Sequence, residues 1–133
     1  AAQSFVGTRK LKLEKPLPVV YEPRLVANLE VLIASFARML SEYLVRTVNE
    51  LPPGGASRWS QGIDLVAVFL GFGVVYANGL PHLCPDAVQK ENHLSQWDIT
   101  YALAIFCTLK KIPRREVLPH LKRPLRGFFN RAM

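Results

Sequence analysis

Between Arg24 and Leu51 (RLVANLEVLIASFARMLSEYLVRTVNEL) the chain runs without a glycine or a proline, and no other stretch limits its fold so strongly. Apolar residues recur there every three or four positions, the spacing of one face of an α-helix. Leu25, Leu29, Leu32, Phe36, Met39 or Leu40 and Tyr43 form one such line. Val26, Ile33, Ala37, Leu44 and Val48 form a second beside it, so the apolar arc is wider than one neighbour covers and two packing partners are expected. On the polar edge, Arg38, Glu42 and Arg46 stand at i,i+4 spacing, where opposite charges meet across a turn for about 0.2–0.5 kcal/mol per pair. This edge is expected to face solvent or another chain. Pro23 before the run and Pro52-Pro53-Gly54-Gly55 after it bound the helix, because proline removes a donor and clashes with the preceding turn. At 1.5 Å per residue the helix would be about 40 Å long.

The remaining segments read as helices arranged around this one. A second helix is expected from Ser57 or Ser60 as N-cap to about Asn78, where Asn78-Gly79 followed by Pro81 forms a stop. Its centre, IDLVAVFLGFGVVYA, is almost wholly apolar, but Asp64 and Asn78 bracket only about 13 apolar residues against the ~20 that a bilayer requires. A central buried helix is therefore expected, with Gly71 and Gly73 allowing close approach of another helix or chain. Leu80 to Asp86 reads as a loop. Asp86 with Gln89 and Ser95 with Asp98 both fit capping boxes, with a break near His93-Leu94. The helix Gln96 to Ile112 is expected to turn Trp97, Tyr101, Ala104 or Ile105, and Thr108 or Leu109 inward, with Ile99, Leu103, Phe106 and Ile112 widening that face.

From Arg114 onward, Pro119 and Pro124 predict one kinked helix or two short ones, apolar along Val117, Leu118, Leu121, Leu125, Phe128 and Phe129. At the other end, three prolines between Pro16 and Pro23 favour an extended arm. Its expected support is the chain's own body, a nucleic acid or a neighbouring subunit. The chain of 133 residues is thus read as one all-α domain, a small four- to five-helix bundle over residues 24–133, with an extended basic arm over residues 1–23.

Charge divides along the same boundaries. The net +7 comprises +3 from Ala1 to Arg24 and +7 from Lys110 to Met133, around a body of −3. A slightly acidic helical body with strongly basic ends suits a protein that holds a polyanion with its extremities. The candidate phosphate-binding residues are Arg9, Lys10, Lys12, Lys15 and Arg24 at the first end, and Lys110, Lys111, Arg114, Arg115, Lys122, Arg123, Arg126 and Arg131 at the second. Lysine and arginine neutralise phosphates and release counterions, giving affinity independent of sequence. No pattern resembles a helix-turn-helix, zinc finger or RNA-recognition motif, and Asn130 is the sole side-chain amide of the last segment, so backbone binding is expected.

Catalytic signatures are missing: there is no phosphate loop, dinucleotide fingerprint, Gly-x-Ser-x-Gly or His-Glu-x-x-His, and neither an enzyme nor a cofactor is expected. His82 and Cys84 with His93 or Cys107 could supply four metal ligands, but their spacing matches no zinc pattern and no metal is expected. Two cysteines make no disulfide framework, and whether they pair is open. Asp64 is read as a first-turn carboxylate facing the helix dipole, with a buried functional carboxylate as the alternative. Trp59 and Trp97 are read as core or interface aromatics. The polar, basic amino terminus has no apolar core with a cleavage site, so no secretory signal is expected, and Ala1 is a small residue of the kind left by initiator-Met removal.

The stretches GTRKLKLEKPLPVV and LKKIPRREVLPHLKRPLRGFFNR, set on either side of a helical body with wide apolar faces, resemble the DNA-facing parts of the major capsid proteins of filamentous and rod-shaped double-stranded DNA viruses of hyperthermophilic archaea. The resemblance is one of layout. It implies a helical nucleocapsid in which two related capsid proteins form clasping dimers around DNA held in the A form, in some members inside a lipid envelope. The implied partners are double-stranded DNA, a paralogous capsid protein and further copies of the chain, and the implied location is the virion, after synthesis in the host cytoplasm. Two other readings stand beside it: a small helical subunit of a large ribosomal or respiratory assembly, and a basic protein of the membrane surface. The wide arc of the first helix and the Gly71/Gly73 notch also predict self-association. If the arm contacts phosphates, replacing Arg9, Lys10 and Lys12 together by Ala lowers the salt slope of DNA binding by up to about three phosphate contacts, and an unchanged slope refutes that role.

Overall fold

The long helix begins at Asn28, not at Arg24. In the computed structural model, which describes residues 18–83 and 92–133, Pro23–Ala27 forms a 3-10 turn. Helix α1 then spans Leu29–Val48, with the Asn28 side chain accepting from Val31 N–H and Asn49 closing the end in the left-handed region (φ 55°). Asparagine tolerates both positions because its short amide bonds locally. The expectations for Arg9, Lys10, Lys12, Lys15, Cys84 and the Asp86/Gln89 cap fall outside the described residues.

Helix α1 turns a different face inward from the one its large apolar residues predict. Its buried residues are Val31, Ala34, Ala37 and Ser41, and Leu29, Ile33, Phe36 and Leu40 are exposed. The cause lies on the helix that crosses it. A Cβ at Gly79 would stand 3.2 Å from Ala34 Cβ and 3.6 Å from the Val31 backbone, so only small residues fit at the crossing. Bulkier side chains are displaced to the flanks and the outer face. The hydroxyl of Ser41, fully buried, donates to Ala37 O at 2.7 Å.

The second helical run enters through a 3-10 turn, Ala56–Arg58, without a side-chain cap from Ser57 or Ser60. Helix α2 (Trp59–Ala67) passes through a π-helical turn, Val68–Phe72, into α3 (Gly73–Leu83). The two glycines expected to act together do different things. Gly71 has φ 102° with open space around it and makes the kink, whereas Gly73 takes the close contact, since a Cβ there would lie 2.7 Å from Leu103 Cδ1. The expected stop at Asn78-Gly79-Pro81 is also overturned, because α3 continues to Leu83. Pro81 cannot donate to Ala77 O, and Gln96 Nε2 donates to it instead at 2.8 Å.

The whole run Ala56–Leu83 is long and apolar enough to cross a bilayer, so length does not exclude a span as the sequence led us to expect. In its place stands burial: 56% of its most apolar window is inside the protein, packed on α1 and on the next helix.

That next helix, α4 (Gln96–Leu109), follows the expected break, and its capping box is formed as the sequence predicts: Asp98 N–H donates to Ser95 Oγ and Ser95 N–H to Asp98 Oδ2, both at 3.1 Å. It ends three residues before Ile112, where Lys111 adopts a left-handed conformation. Ile99, Thr100, Ala102, Leu103, Ala104 and Cys107 are buried. Of the face expected to be inside, Ile99, Leu103 and the Ala104 alternative are buried, whereas the Trp97–Tyr101–Ile105–Leu109 line points outward, because α3, with Gly73 on Leu103, and the last helix pack against the other side of α4. Of the two last-segment alternatives the structure takes two short helices, α5 (Arg114–Val117) and α6 (Arg123–Ala132), joined through a 3-10 turn, Leu118–His120. Val117, Leu121, Leu125 and Phe129 close the core against α4, as their spacing predicts. The described residues contain no strand, and the fold is the all-α bundle expected.

The crossing at Gly79 sets a test. Gly79→Val should lower stability in urea denaturation by about 1–3 kcal/mol through overpacking, while Gly127→Ala, into open space on α6, should be neutral or stabilising.

Candidate nucleic-acid interface

Two buried polar centres hold the bundle in register, and the second of them carries the basic segment. At the first, Asp64 is fully buried on α2, in its second turn and not in the first as expected. Oδ1 accepts from Arg38 Nη1 of α1 and from the Tyr76 hydroxyl of α3. Oδ2 accepts from Leu94 N–H at 2.9 Å, with His93 Nδ1 at 3.2 Å. Arg38 also reaches the Tyr76 oxygen at 3.2 Å. Arg38 therefore leaves the solvent-facing series expected for it and crosses to Asp64. Glu42 and Arg46 keep their exposed i,i+4 ion pair.

Burial and the neighbouring Asp64 carboxylate push the Tyr76 phenol far above its ordinary pKa of 10.0. A lone carboxylate in an apolar run is a signal that a partner must reach it, since an unpaired buried charge is costly. The sequence does not say which cation comes.

At the second centre, Asn78 of α3 uses its whole side chain. Nδ2 donates to Glu30 Oε2 at 3.0 Å and to His120 O at 2.8 Å, while Oδ1 accepts from Lys122 N–H at 2.9 Å. Lys122 Nζ donates to Asn78 O at 2.8 Å. These bonds fasten the start of α6 to α1 and α3. Arg126 adds to the fastening, with Nε on Leu121 O at 2.8 Å and Nη2 on Pro119 O at 3.2 Å.

Of the thirteen candidate phosphate-binding residues, the arm's four lie outside the described residues. Arg24 is exposed but ion-paired with Glu22. Lys122 and Arg126 spend donors on holding the segment, a structural duty that sequence reasoning missed. Lys110, Lys111, Arg114, Arg115, Arg123 and Arg131 are exposed, and none of the ion pairs among the described residues includes them. Six solvated cations thus stand on 22 residues of a segment anchored by a buried asparagine and four buried apolar side chains.

Elsewhere, a cleft of about 930 Å³ runs along the outer side of α1, between Ile33, Phe36, Leu40 and Tyr43, with Phe72, Pro18 and Val19 completing its walls. Tyr21 meets Phe36 edge-on at 6.1 Å. Among the described residues no group of three or more His, Cys, Asp and Glu is placed to hold a metal. His82 is exposed, and Cys107 is a buried free thiol whose pKa burial raises. Trp59 is half-buried, and Trp97 is exposed with its ring against Phe128 at 5.4 Å.

No family model, curated protein or solved structure matches this chain.

The Asp64 cluster yields two linked expectations. Removing its carboxylate by Asp64→Ala leaves Arg38 and the Tyr76 hydroxyl inside without their acceptor and should cost about 3–5 kcal/mol, read from denaturant midpoints. Because the folded-state pKa of Tyr76 is raised, its contribution is complete below the unfolded value of 10.0 and is lost as pH rises above it, where only the unfolded chain releases the proton. Stability should therefore fall with pH on the alkaline side, and Tyr76→Phe should reduce that slope.

Proposed function

We propose that this chain is a structural, nucleic-acid-packaging protein that binds the phosphate backbone of duplex DNA without reading its sequence, as a repeating subunit of a helical viral nucleocapsid. The observation that carries the reading is the set of six exposed cations, Lys110, Lys111, Arg114, Arg115, Arg123 and Arg131, free of ion pairs among the described residues and held on an anchored segment. Unpaired surface cations at this density repel one another, and a polyanion relieves that repulsion while releasing its own counterions. The chemistry of the segment suits phosphates, not bases. Discrimination between bases requires side chains aimed at their edges from within a groove, and the only amide of the segment, Asn130, stands alone near the end of α6.

The packaging role adds the layout shared with the archaeal viral capsid proteins, and with it the partners that layout implies: duplex DNA, a paralogous chain, further copies and, in enveloped members, lipid. The virion is the corresponding location.

Titration of duplex DNA against salt tests the proposal. The logarithm of the binding constant should fall with that of salt concentration, with a slope up to about −5 from these six residues, and replacing Arg114 and Arg115 by Ala should reduce it by about two contacts. Unrelated duplexes of equal length should compete alike. A preference above roughly a hundredfold, the range of specific sites, would mark a sequence-specific regulator. Stronger binding to anionic vesicles than to DNA would favour the membrane-surface reading, which the basic, amphipathic last segment would then serve.

A further inference from the structure

Packaging of DNA by the basic segment leaves one surface of the molecule without a task. On α4, Trp97, Tyr101, Ile105 and Leu109 stand at successive i,i+4 positions and are 47%, 53%, 41% and 67% exposed. Phe69, itself exposed, meets Phe106 of α4 edge-on at 5.8 Å. Scattered apolar residues on a surface need no explanation, but four in line along a whole helix do. The α1 cleft is a weaker candidate, because Pro18 and Val19 of the chain already form part of its wall.

The charges at the two ends of the stripe identify its occupant. Asp98, exposed, lies along the same line as Tyr101, Ile105 and Leu109, near the helix start. Lys110 and Lys111, also exposed, follow directly after the helix end. A surface that is apolar in its middle, acidic at one end and basic at the other is complementary to itself when one copy is reversed. This is the requirement of a two-fold interface, in which the same patch serves both partners. Reversal also sets the two helix dipoles antiparallel, side by side. A nucleobase platform would not extend into Ile105 and Leu109, which have no aromatic face, and an anionic membrane would not welcome Asp98.

We propose that the α4 stripe is the interface between two copies of this chain, packed antiparallel about a two-fold axis near residue 103, with Tyr101 of each copy against Ile105 of the other and Trp97 against Leu109. Asp98 then approaches Lys110 and Lys111 of the second copy. The pairing rests on the packaging reading and deepens it by naming the partner surface. It also gives the dimer two basic segments, so that a second contact with the same polyanion becomes intramolecular.

Sedimentation velocity of the full chain across the micromolar range and above tests the pairing. The wild type should pass from its 15.0 kDa mass to twice that mass as concentration rises. Tyr101→Lys and Ile105→Glu each place a charge in the apolar middle and should weaken association about tenfold or more, the scale of a lost central contact. Both sites are exposed, so far-UV circular dichroism should be unchanged. An equimolar mixture of the two variants should regain the dimer, because the antiparallel register sets the introduced lysine of one copy against the introduced glutamate of the other and leaves the native pair at the second contact. A wild type that stays monomeric, single variants that associate as it does, or a mixture that fails to recover would each overturn the proposal. DNA titration of the wild type below its association range reports separately on the packaging reading.

Discussion

The approach of α1 to α3 at Gly79 governs how the rest of the bundle is arranged. With a prospective Cβ only 3.2 Å from Ala34, the two backbones meet where neither helix can carry bulk. The buried line of α1 is consequently Val31, Ala34, Ala37 and Ser41, and its large apolar residues are turned to the flanks and outward. The same rotation aims Arg38 toward the inside of the bundle, within reach of Asp64. A side chain that would have paired along the surface of its own helix instead joins α1 to α2 and α3, and Asp64 adds the loop before α4.

Polar burial of this kind is a demanding way to hold a fold. An apolar core tolerates sliding, since one aliphatic contact resembles the next, but Asp64 and Asn78 have partners at defined positions on α1, on α3, in the His93-Leu94 loop and at the start of α6. A shift of one residue would strand several of them at once, and each stranded group costs about 1–3 kcal/mol or more. All buried side-chain nitrogen and oxygen atoms among the described residues have a hydrogen-bond partner. We read the two centres as devices that fix register, with apolar burial along Tyr76, Ile99, Leu103 and Phe129 supplying the larger share of the stability.

Anchoring and charge are joined at the carboxy-terminal segment. Asn78 and the buried row Val117, Leu121, Leu125 and Phe129 hold it to the body, and six neighbouring cations stay outside the ion pairs of the described residues. Lys122 and Arg126 are the exceptions, and their bonds show how two cations can be converted into fasteners. A polyanion contact built on such a segment needs little ordering on binding, which limits the entropy lost when the complex forms.

The order of residues suffices to place the helical segments, a few of their ends and the charge partition. The 3.6-residue period, the Ser95/Asp98 capping box, the proline-broken last segment and the basic ends are local properties, readable within a few residues of one another. The apolar row of the last segment was legible for the same reason, since its four buried residues are among its six large ones, with Leu118 and Phe128 half-buried beside them. Which side of α1 and α4 is inside, by contrast, emerges only when the helices pack. Periodicity shows that a helix has an apolar side, yet alanine, glycine and serine contribute little to it, and these residues set the closest helix crossing. Packing also carried α3 through Pro81, because the donor for Ala77 O comes from Gln96, 19 residues away. It made Asp64 a buried centre in the same manner, with Arg38 arriving from 26 residues upstream and Leu94 from 30 downstream. A hydrogen bond between distant positions leaves no periodic trace in the chain, and only the packed backbone brings its two ends together.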